Sequence, residues 1–231
     1  MTGAEASISI VMPALNEAAS IAAAVADARR HAAECLVVDG GSSDRTAALA
    51  FEAGAIVIGA PRGRAVQMNA GAERACSDVL LFVHADCRLP DHAAQSIRAA
   101  IASGAAWGRF DVKLDSPRRS LRLVGAMMNW RSRLSGIATG DQAMFVRREV
   151  FEQLGGFPDI ELMEDIALSR KLKALGRPVC LRPPVITSAR RWLRHGIWLT
   201  IWLMWRLRAA YFFGADPDAL ALRYGYRPRS R

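Results

Sequence analysis

The sequence I-S-I-V-M-P-A-L-N-E at residues 8–17 is a short, mainly apolar run that ends in polar residues. Similar apolar runs lie at residues 35–39, 55–59 and 79–84, and the segments between them are each long enough for a helix. Brief apolar runs bounded by turn residues are typical of buried parallel strands. Their alternation with helices predicts an α/β fold with a doubly wound, mixed and largely parallel sheet.

Further strands are predicted at residues 108–114 and 141–147, and further helices at residues 119–134 and 164–175. No internal repeat or low-complexity linker interrupts this part of the chain. Residues 1–186 are therefore predicted to form one continuous domain.

Residues 187–231 differ from the rest of the chain in charge and composition. The chain has a formal charge of +9, and nine Arg against two Asp in this segment account for +7 of it. The segment also holds four of the six Trp and all three Tyr. With 52% hydrophobic residues overall, disorder is excluded, and we predict a basic, aromatic helical tail attached to a nearly neutral body.

The cysteines and the N-terminal residues both indicate a cytoplasmic protein. The four Cys are widely spaced without a C-x-x-C pair, which favours free thiols in a reducing compartment. The N-terminal residues M-T-G-A-E-A-S contain no basic region, and the apolar run at residues 8–12 is too short for a signal peptide or a membrane span.

Polar residues follow each of the first four predicted strands, where ligands collect in open parallel sheets. Neither a G-x-G-x-x-G nor a G-x-x-x-x-G-K-[ST] motif is present, which argues against a dinucleotide dehydrogenase and a P-loop phosphotransferase. Asp39 can accept hydrogen bonds from a base or a ribose, or it can form an Asx turn. Asp86 can bind a hard divalent cation, or it can be a structural cap before Pro90.

Two helix starts carry further candidate groups. Arg64, Gln67 and Asn69 form a polar helix start that could meet a diphosphate. The Glu164-Asp165 pair opens another helix, where acidic residues are also favoured by the helix dipole alone. What favours a functional pair is the G-D-Q-A-M-F sequence upstream, at residues 140–145.

The order of these motifs resembles the family 2 glycosyltransferases, whose catalytic domain has the GT-A fold. The motifs are P-A-L-N-E (13–17), V-V-D-G-G-S-S-D-R-T (37–46), L-F-V-H-A-D (81–86), G-D-Q-A-M-F (140–145) and M-E-D-I-A-L-S-R-K-L (163–172). More closely, A-P-R-G-R-A-V-Q-M-N-A-G (60–71), the H-A-D variant and T-S-A-R-R-W-L-R-H-G (187–196) resemble a bacterial subfamily often assigned to arsenosugar biosynthesis.

The resemblance implies an inverting glycosyltransferase that moves a sugar from a nucleotide diphosphate, with a UDP-sugar as the expected donor, to an acceptor hydroxyl. The catalytic domain would be residues 1–186. The resemblance implies that Asp86 binds Mg²⁺ or Mn²⁺, and that Glu164 and Asp165 form a catalytic pair in which Asp165 is the base. Asp141 and Gln142 would belong to an acceptor-side loop. The residues implied to bind the donor are Pro13, Asn16, Glu17, Asp39, Arg64, Asn69 and His84.

Two histidines bear on the metal. His84 stands where many relatives have the first Asp of a D-x-D motif, so the site has one carboxylate fewer. His195 could reach back as a further metal or diphosphate ligand, or it could be a surface residue. The alternatives to a transferase are a catalytically silent nucleotide-sugar-binding protein at the membrane and a nucleotidyltransferase on a similar sheet.

The tail reads as one long helix over residues 190–213, with Trp198, Trp202 and Trp205 on one stripe. The opposite, aliphatic side, which carries Leu199, Leu203, Leu207 and Tyr211, is expected to dock on the catalytic domain. The Trp and Arg side predicts peripheral contact with an anionic membrane at the inner face of the plasma membrane, and packing in the core or in a homo-oligomer is the alternative. Apolar residues interrupt the Arg residues, which argues against nucleic acid. The acceptor would be lipid-linked or a small molecule.

Overall fold

The computed structural model describes residues 5–226 of the chain. The strands are β1 (Ile8–Ala14), β2 (Glu34–Asp39), β3 (Ile56–Gly59), β4 (Val79–Phe82), β5 (Cys87–Arg88), β6 (Trp107–Asp115), β7 (Met144–Arg147) and β8 (Val179–Ser188). The helices are α1 (Ile21–Ala28), α2 (Thr46–Glu52), α3 (Arg64–Arg74), α4 (Ala93–Ala102), α5 (Arg119–Ser135), α6 (Arg148–Gln153), α7 (Glu164–Leu175), α8 (Arg190–His195), α9 (Ile197–Phe212) and α10 (Pro217–Tyr224).

All these strands join in one sheet, in the order β3-β2-β1-β4-β7-β6-β8-β5. Strands β1 to β4 pair in parallel, β7 is antiparallel to both β4 and β6, and β8 runs parallel to β6. The carboxyl ends of β1, β2, β4 and β8 therefore share one edge with the beginning of β7. The predicted mixed, largely parallel sheet is confirmed.

Both faces of the sheet are covered, as expected for parallel strands. On β1, the alternating side chains of Ile10 and Met12 pack in one buried cluster, while Val11 packs in another on the opposite face. Helix α3 lies close to the second face, because a side chain at Gly71 would overlap the methyl groups of Val11 and Val38. This close packing fixes the start of α3 beside the ends of β1 and β2.

The predicted single helix over residues 190–213 is wrong. Gly196 has a φ of +83°, a conformation that glycine adopts readily, and it separates α8 from α9. The N–H and the hydroxyl of Thr200 then donate to the Gly196 carbonyl, which closes the first turn of α9.

Helix α9 docks on the body through one of its sides. Leu207 is buried and Leu203 and Tyr211 are partly buried against Leu162 and Ile166, together with residues of α10. The expected docking of the aliphatic side is confirmed for these three residues and wrong for Leu199, which is exposed. Residues 227–231 of the predicted tail lie outside the described residues. Among residues 5–226, no helix is both long and apolar enough to cross a membrane.

Replacing Gly108 on β6 with Ala is expected to destabilise the sheet. The added Cβ would lie 2.5 Å from the carbonyl oxygen of Val179 on the neighbouring strand and even closer to the Phe145 ring. Forced overlap of this kind costs about 1–3 kcal/mol in the free energy of unfolding, which urea titration measures. Gly59→Ala on β3 is the matched control because its Cβ would meet nothing within 4 Å, and an equal loss in both variants would contradict the packing argument.

Candidate functional site

A cavity of about 560 Å³ opens at the carboxyl edge of the sheet. The end of β1, the start of α3, the loop after β4, the end of β8, helix α8 and the end of α10 all contribute to its walls. The residues predicted from the sequence that line it are Pro13, Glu17, Arg64, Gln67, His84, Asp86, Asp141 and His195. The structure thus brings candidates from separate parts of the sequence to one site.

His84 and Asp141 meet across the β4 and β7 ends. The His84 Nδ1 atom lies 3.7 Å from Asp141 Oδ1, and a Cβ on Gly140 would lie 2.5 Å from His84 Nε2. Gly140 is therefore required for the close approach of the imidazole. Burial alone would raise the pKa of Asp141, but the nearby His84, Arg64 and Arg208 lower it below the usual aspartate value.

Asp86 lies among other acidic groups. Its nearest cation is Arg190, whose Nη2 atom is 3.8 Å from Asp86 Oδ2 and 3.2 Å from Glu17 Oε2. Burial is the main cause that raises the pKa of Asp86, and Asp141 and Glu17 add to it, while His84 and Arg190 oppose it. A carboxylate in this environment would be stabilised by a divalent cation, so Asp86 fits a divalent metal.

The metal-ligating atoms of His84, Asp86 and Cys87 all lie within 4.8 Å of one another. This cluster follows β4 directly, because Cys87 N donates to the His84 carbonyl in a tight turn. His195, the second predicted metal ligand, is exposed at the end of α8 on another wall of the cavity and is not a member of this cluster.

The Glu164-Asp165 pair is held at the first turn of α7. The Asp165 carboxylate accepts hydrogen bonds from Gly140 N at 2.9 Å and from Ile166 N at 2.7 Å. Glu164 is buried, and Arg64 Nη1 lies 3.9 Å from its carboxylate. Burial is the largest cause that raises the pKa of Glu164 to about 7, and the charge of Asp165 acts in the same direction. Neither carboxylate is among the residues that line the cavity.

Asp39 and Asn16 order the loops after β1 and β2, the first within its own loop and the second between the two loops. Asp39 Oδ2 accepts from the N–H groups of Gly41 and Ser42, which is the Asx turn considered for this residue. Asn16 Oδ1 accepts from Ser43 N, and Asn16 N donates to the Ser42 hydroxyl. Both side chains therefore shape the loops after β1 and β2 without lining the cavity themselves.

Two predicted site residues have internal roles in the structure. The Asn69 amide donates to the Phe157 carbonyl and accepts from Phe157 N, both at 2.9 Å. Gln142 is buried, and its Oε1 atom accepts from Thr139 N. Gln67, by contrast, lines the cavity and donates through its Nε2 atom to the carbonyls of Ala14 and Val38 at the ends of β1 and β2.

The cavity also contains residues that sequence reasoning missed. Tyr226 stacks on Arg64, with 5.3 Å between the guanidinium carbon and the ring centre. Tyr224 stacks on Arg191 at 3.6 Å, and Arg191 also donates to the Tyr224 carbonyl. The only signal in the sequence was the high Arg and Tyr content of the tail, which does not show that the chain returns to the site.

The family model for glycosyl transferase family 2 matches residues 9–155, well over half of the chain. This chain belongs to the family 2 glycosyltransferases. None of the curated proteins is similar to this family 2 glycosyltransferase in sequence.

Solved structures share the GT-A fold of this glycosyltransferase. The mannosyltransferase PcManGT from Pyrobaculum calidifontis, in complex with GDP-Man and Mn²⁺, is 20% identical with a TM-score of 0.63, covering 98% of this chain and 67% of its own. Glucosyl-3-phosphoglycerate synthase from Mycobacterium tuberculosis, in complex with Mn²⁺, UDP and glucosyl-3-phosphoglycerate, is 18% identical with a TM-score of 0.63. That alignment covers 97% of this chain and 82% of the synthase chain.

TarS from S. aureus, residues 1–349 in complex with UDP-GlcNAc, is 17% identical with a TM-score of 0.62. The alignment covers 79% of this chain and 58% of the TarS chain. The glycosyltransferase therefore spans little more than half the length of that neighbour. These similarities confirm the predicted fold.

The burial of Glu164 predicts a pH-dependent stability. Its pKa is about 7 in the folded protein against an ordinary 4.5, so the folded state holds the proton more tightly. The stabilisation from this group is complete below pH 4.5 and is lost as the pH rises through about 7. The free energy of unfolding of Glu164→Gln, relative to wild type, should therefore increase between about pH 5 and 8, by up to about 3 kcal/mol.

The measurement is urea unfolding at a series of pH values. Glu73→Gln on the exposed side of α3 is the control, and its difference from wild type should not change with pH in this way. A difference for Glu164→Gln that is constant across this range would show that the buried carboxylate is not protonated near neutral pH.

Proposed function

We propose that this protein transfers a sugar with inversion from a nucleotide diphosphate donor, a UDP-sugar, to an acceptor hydroxyl. The observation that carries the proposal is the hydrogen bond from Gly140 N to Asp165, which places the proposed base beside the loop that brings Asp141 to the cavity. The alignment of the fold with structures that hold UDP-GlcNAc, GDP-Man and UDP supports a nucleotide-sugar donor.

The donor would lie along the ends of β1, β2 and β4. Pro13, Glu17 and the loop shaped by Asp39 would face the nucleoside. Arg64, at the start of α3, lies where a guanidinium and free helix N–H groups favour a diphosphate. Asp86 and His84 would hold a divalent cation, and the bound ion would neutralise the charge that accumulates on the leaving diphosphate.

Asp165 is the proposed catalytic base. Its two backbone hydrogen bonds hold the carboxylate in one orientation. The acceptor hydroxyl would lose its proton to Asp165 as its oxygen bonds to the anomeric carbon, while the bond from that carbon to the diphosphate oxygen breaks. Attack from the face opposite the leaving group inverts the configuration. Similarity at residues 60–71 and 187–196 supports the further proposal of an arsenosugar-type subfamily.

Substitution at the two proposed functional carboxylates should separate binding from transfer. Asp165→Asn is expected to retain binding of UDP and to lose transfer by about 100-fold or more, because general base catalysis typically contributes 10² to 10⁴. Asp86→Ala is expected to lose the metal-dependent part of UDP binding. Release of UDP from a panel of UDP-sugars, with and without EDTA, measures transfer, and calorimetry measures binding.

Asp91→Asn, in an exposed ion pair with Arg30, is the control and should behave as wild type. Undiminished transfer by Asp165→Asn would overturn the assignment of the base. Binding without turnover by the wild-type protein would favour the silent binder, and release of pyrophosphate from a nucleoside triphosphate would favour the nucleotidyltransferase.

We also propose that α9 lies on an anionic membrane surface. Trp198, Trp202 and Trp205 are 82%, 55% and 65% exposed on one side of the helix, and Arg206 stacks on Trp202 at 4.3 Å. Indole rings favour the membrane interface, and Arg binds anionic headgroups. Helix α5 packs against the neighbouring side of α9, where Val124 and Ile201 belong to one cluster.

Helix α5 adds a second exposed apolar stripe to this surface. Its exposed residues are spaced three or four positions apart, which puts them on one face of the helix. They are Leu123, Met127, Trp130 and Leu134. The presence of such a surface near the cavity agrees with a lipid-linked acceptor, and a homo-oligomer that covers it is the alternative.

Flotation with vesicles of phosphatidylglycerol and phosphatidylcholine tests this surface. The wild-type protein should float with the vesicles, and replacement of Trp198, Trp202 and Trp205 by Ser should abolish flotation without loss of the folded state. Phe51→Ser, which removes a lone exposed aromatic residue on α2, is the control. If the wild-type protein stays in the dense fraction and sediments as a dimer, the partner of this surface is a second copy of the chain and not a membrane.

A further inference from the structure

Three side chains of different chemistry are brought together by the turn after β4. His84 supplies a nitrogen, Asp86 an oxygen and Cys87 a sulfur, and the three ligand atoms lie within 4.8 Å of one another. Cys87 Sγ is 3.8 Å from Asp86 Oδ1. Cys87 is buried and does not line the cavity, whereas Asp86 does.

The spacing is compatible with one ion held by all three groups. Metal bonds to nitrogen, oxygen and sulfur are about 2.0–2.3 Å long, so two ligands on opposite sides of an ion are about 4.0–4.6 Å apart. The three ligand atoms lie within 4.8 Å of one another, which is only slightly more than this expected separation. Small rotations of the side chains would bring them to bonding distance from one ion. The remaining coordination positions would face the cavity, where Asp86 already lies on the wall.

A set of one imidazole, one carboxylate and one thiolate differs from the ligands that Mg²⁺ selects. Mg²⁺ takes oxygen ligands almost entirely, whereas imidazole and thiolate favour Zn²⁺, Co²⁺ and similar ions. We propose that Cys87 is a third protein ligand of the metal, and that the site selects a divalent transition metal such as Zn²⁺ or Co²⁺ over Mg²⁺. This inference rests on the proposed function only in placing a metal at Asp86.

The chemistry of the thiol adds to the selectivity. On binding, the S–H proton leaves to solvent and a metal–sulfur bond forms, a step that ions with strong thiolate affinity drive and Mg²⁺ does not.

Titration of the whole chain with Co²⁺ tests the inference directly. A thiolate bound to Co²⁺ gives a charge-transfer band in the near ultraviolet, and we expect this band in the wild-type protein. Cys76→Ser/Cys180→Ser, which removes the two thiols that are not fully buried, should retain the band. Cys87→Ser and Cys87→Ala should lose it, with circular dichroism as the check that each variant is folded.

Calorimetry gives a second measurement. Wild type should bind Co²⁺ at least 100-fold more tightly than Mg²⁺, and Cys87→Ser should narrow that ratio about tenfold or more. A wild-type protein without the band, or with equal affinities for the two ions, overturns the inference whatever the Cys87 variants do. UDP binding, measured in parallel, separates this inference from the proposed function. Metal-dependent UDP binding without the charge-transfer band would overturn the inference and leave the proposed function standing. The charge-transfer band without UDP binding would overturn the proposed function alone.

Discussion

One hydrogen bond from a backbone N–H to a side-chain carboxylate joins α7 to the loop before β7. The N–H of Gly140 donates to the Asp165 carboxylate at 2.9 Å, which connects the start of α7 to the loop before β7. Because β7 is antiparallel to β4, that loop reaches the same edge of the sheet as the end of β4. Gly140 is also in close contact with His84. The position of Asp165 relative to the cavity therefore depends on this loop and on its glycine.

The distribution of charge around this hydrogen bond gives each carboxyl group a different character. Arg64 and His84 keep Asp141 ionised, whereas burial favours the protonated form of Glu164 and of Asp86. Glu164 is enclosed in the protein and Asp86 is on the cavity wall. A cation that enters the cavity would therefore meet Asp86, whereas Glu164 already has Arg64 as a close positive partner.

Strands β5 and β8 were not predicted, since β5 is only two residues long and two prolines interrupt the apolar pattern of β8. The sequence does predict β1 to β4, β6 and β7, because apolar runs bounded by turn residues are a local signal. It also predicts which residues meet at the carboxyl edge, since parallel strands place their ends together. The roles of Asn69 and Gln142 could not be predicted, because each amide pairs with a backbone group that only tertiary packing brings near. The break at Gly196 was missed because a single glycine within a helical pattern is also compatible with a continuous helix.

The path of the chain after β8 determines what encloses the cavity. Strand β8 runs through the predicted domain boundary to Ser188, and Arg191 on α8 and Tyr224 at the end of α10 both form cavity walls. Helix α9, which carries the exposed Trp residues, is the segment between them. A protein cut at residue 186 would thus lose one side of its cavity. Because α9 lies between two segments that form the cavity walls, a surface that adsorbs α9 would also fix how far the cavity opening lies from that surface and which way it faces.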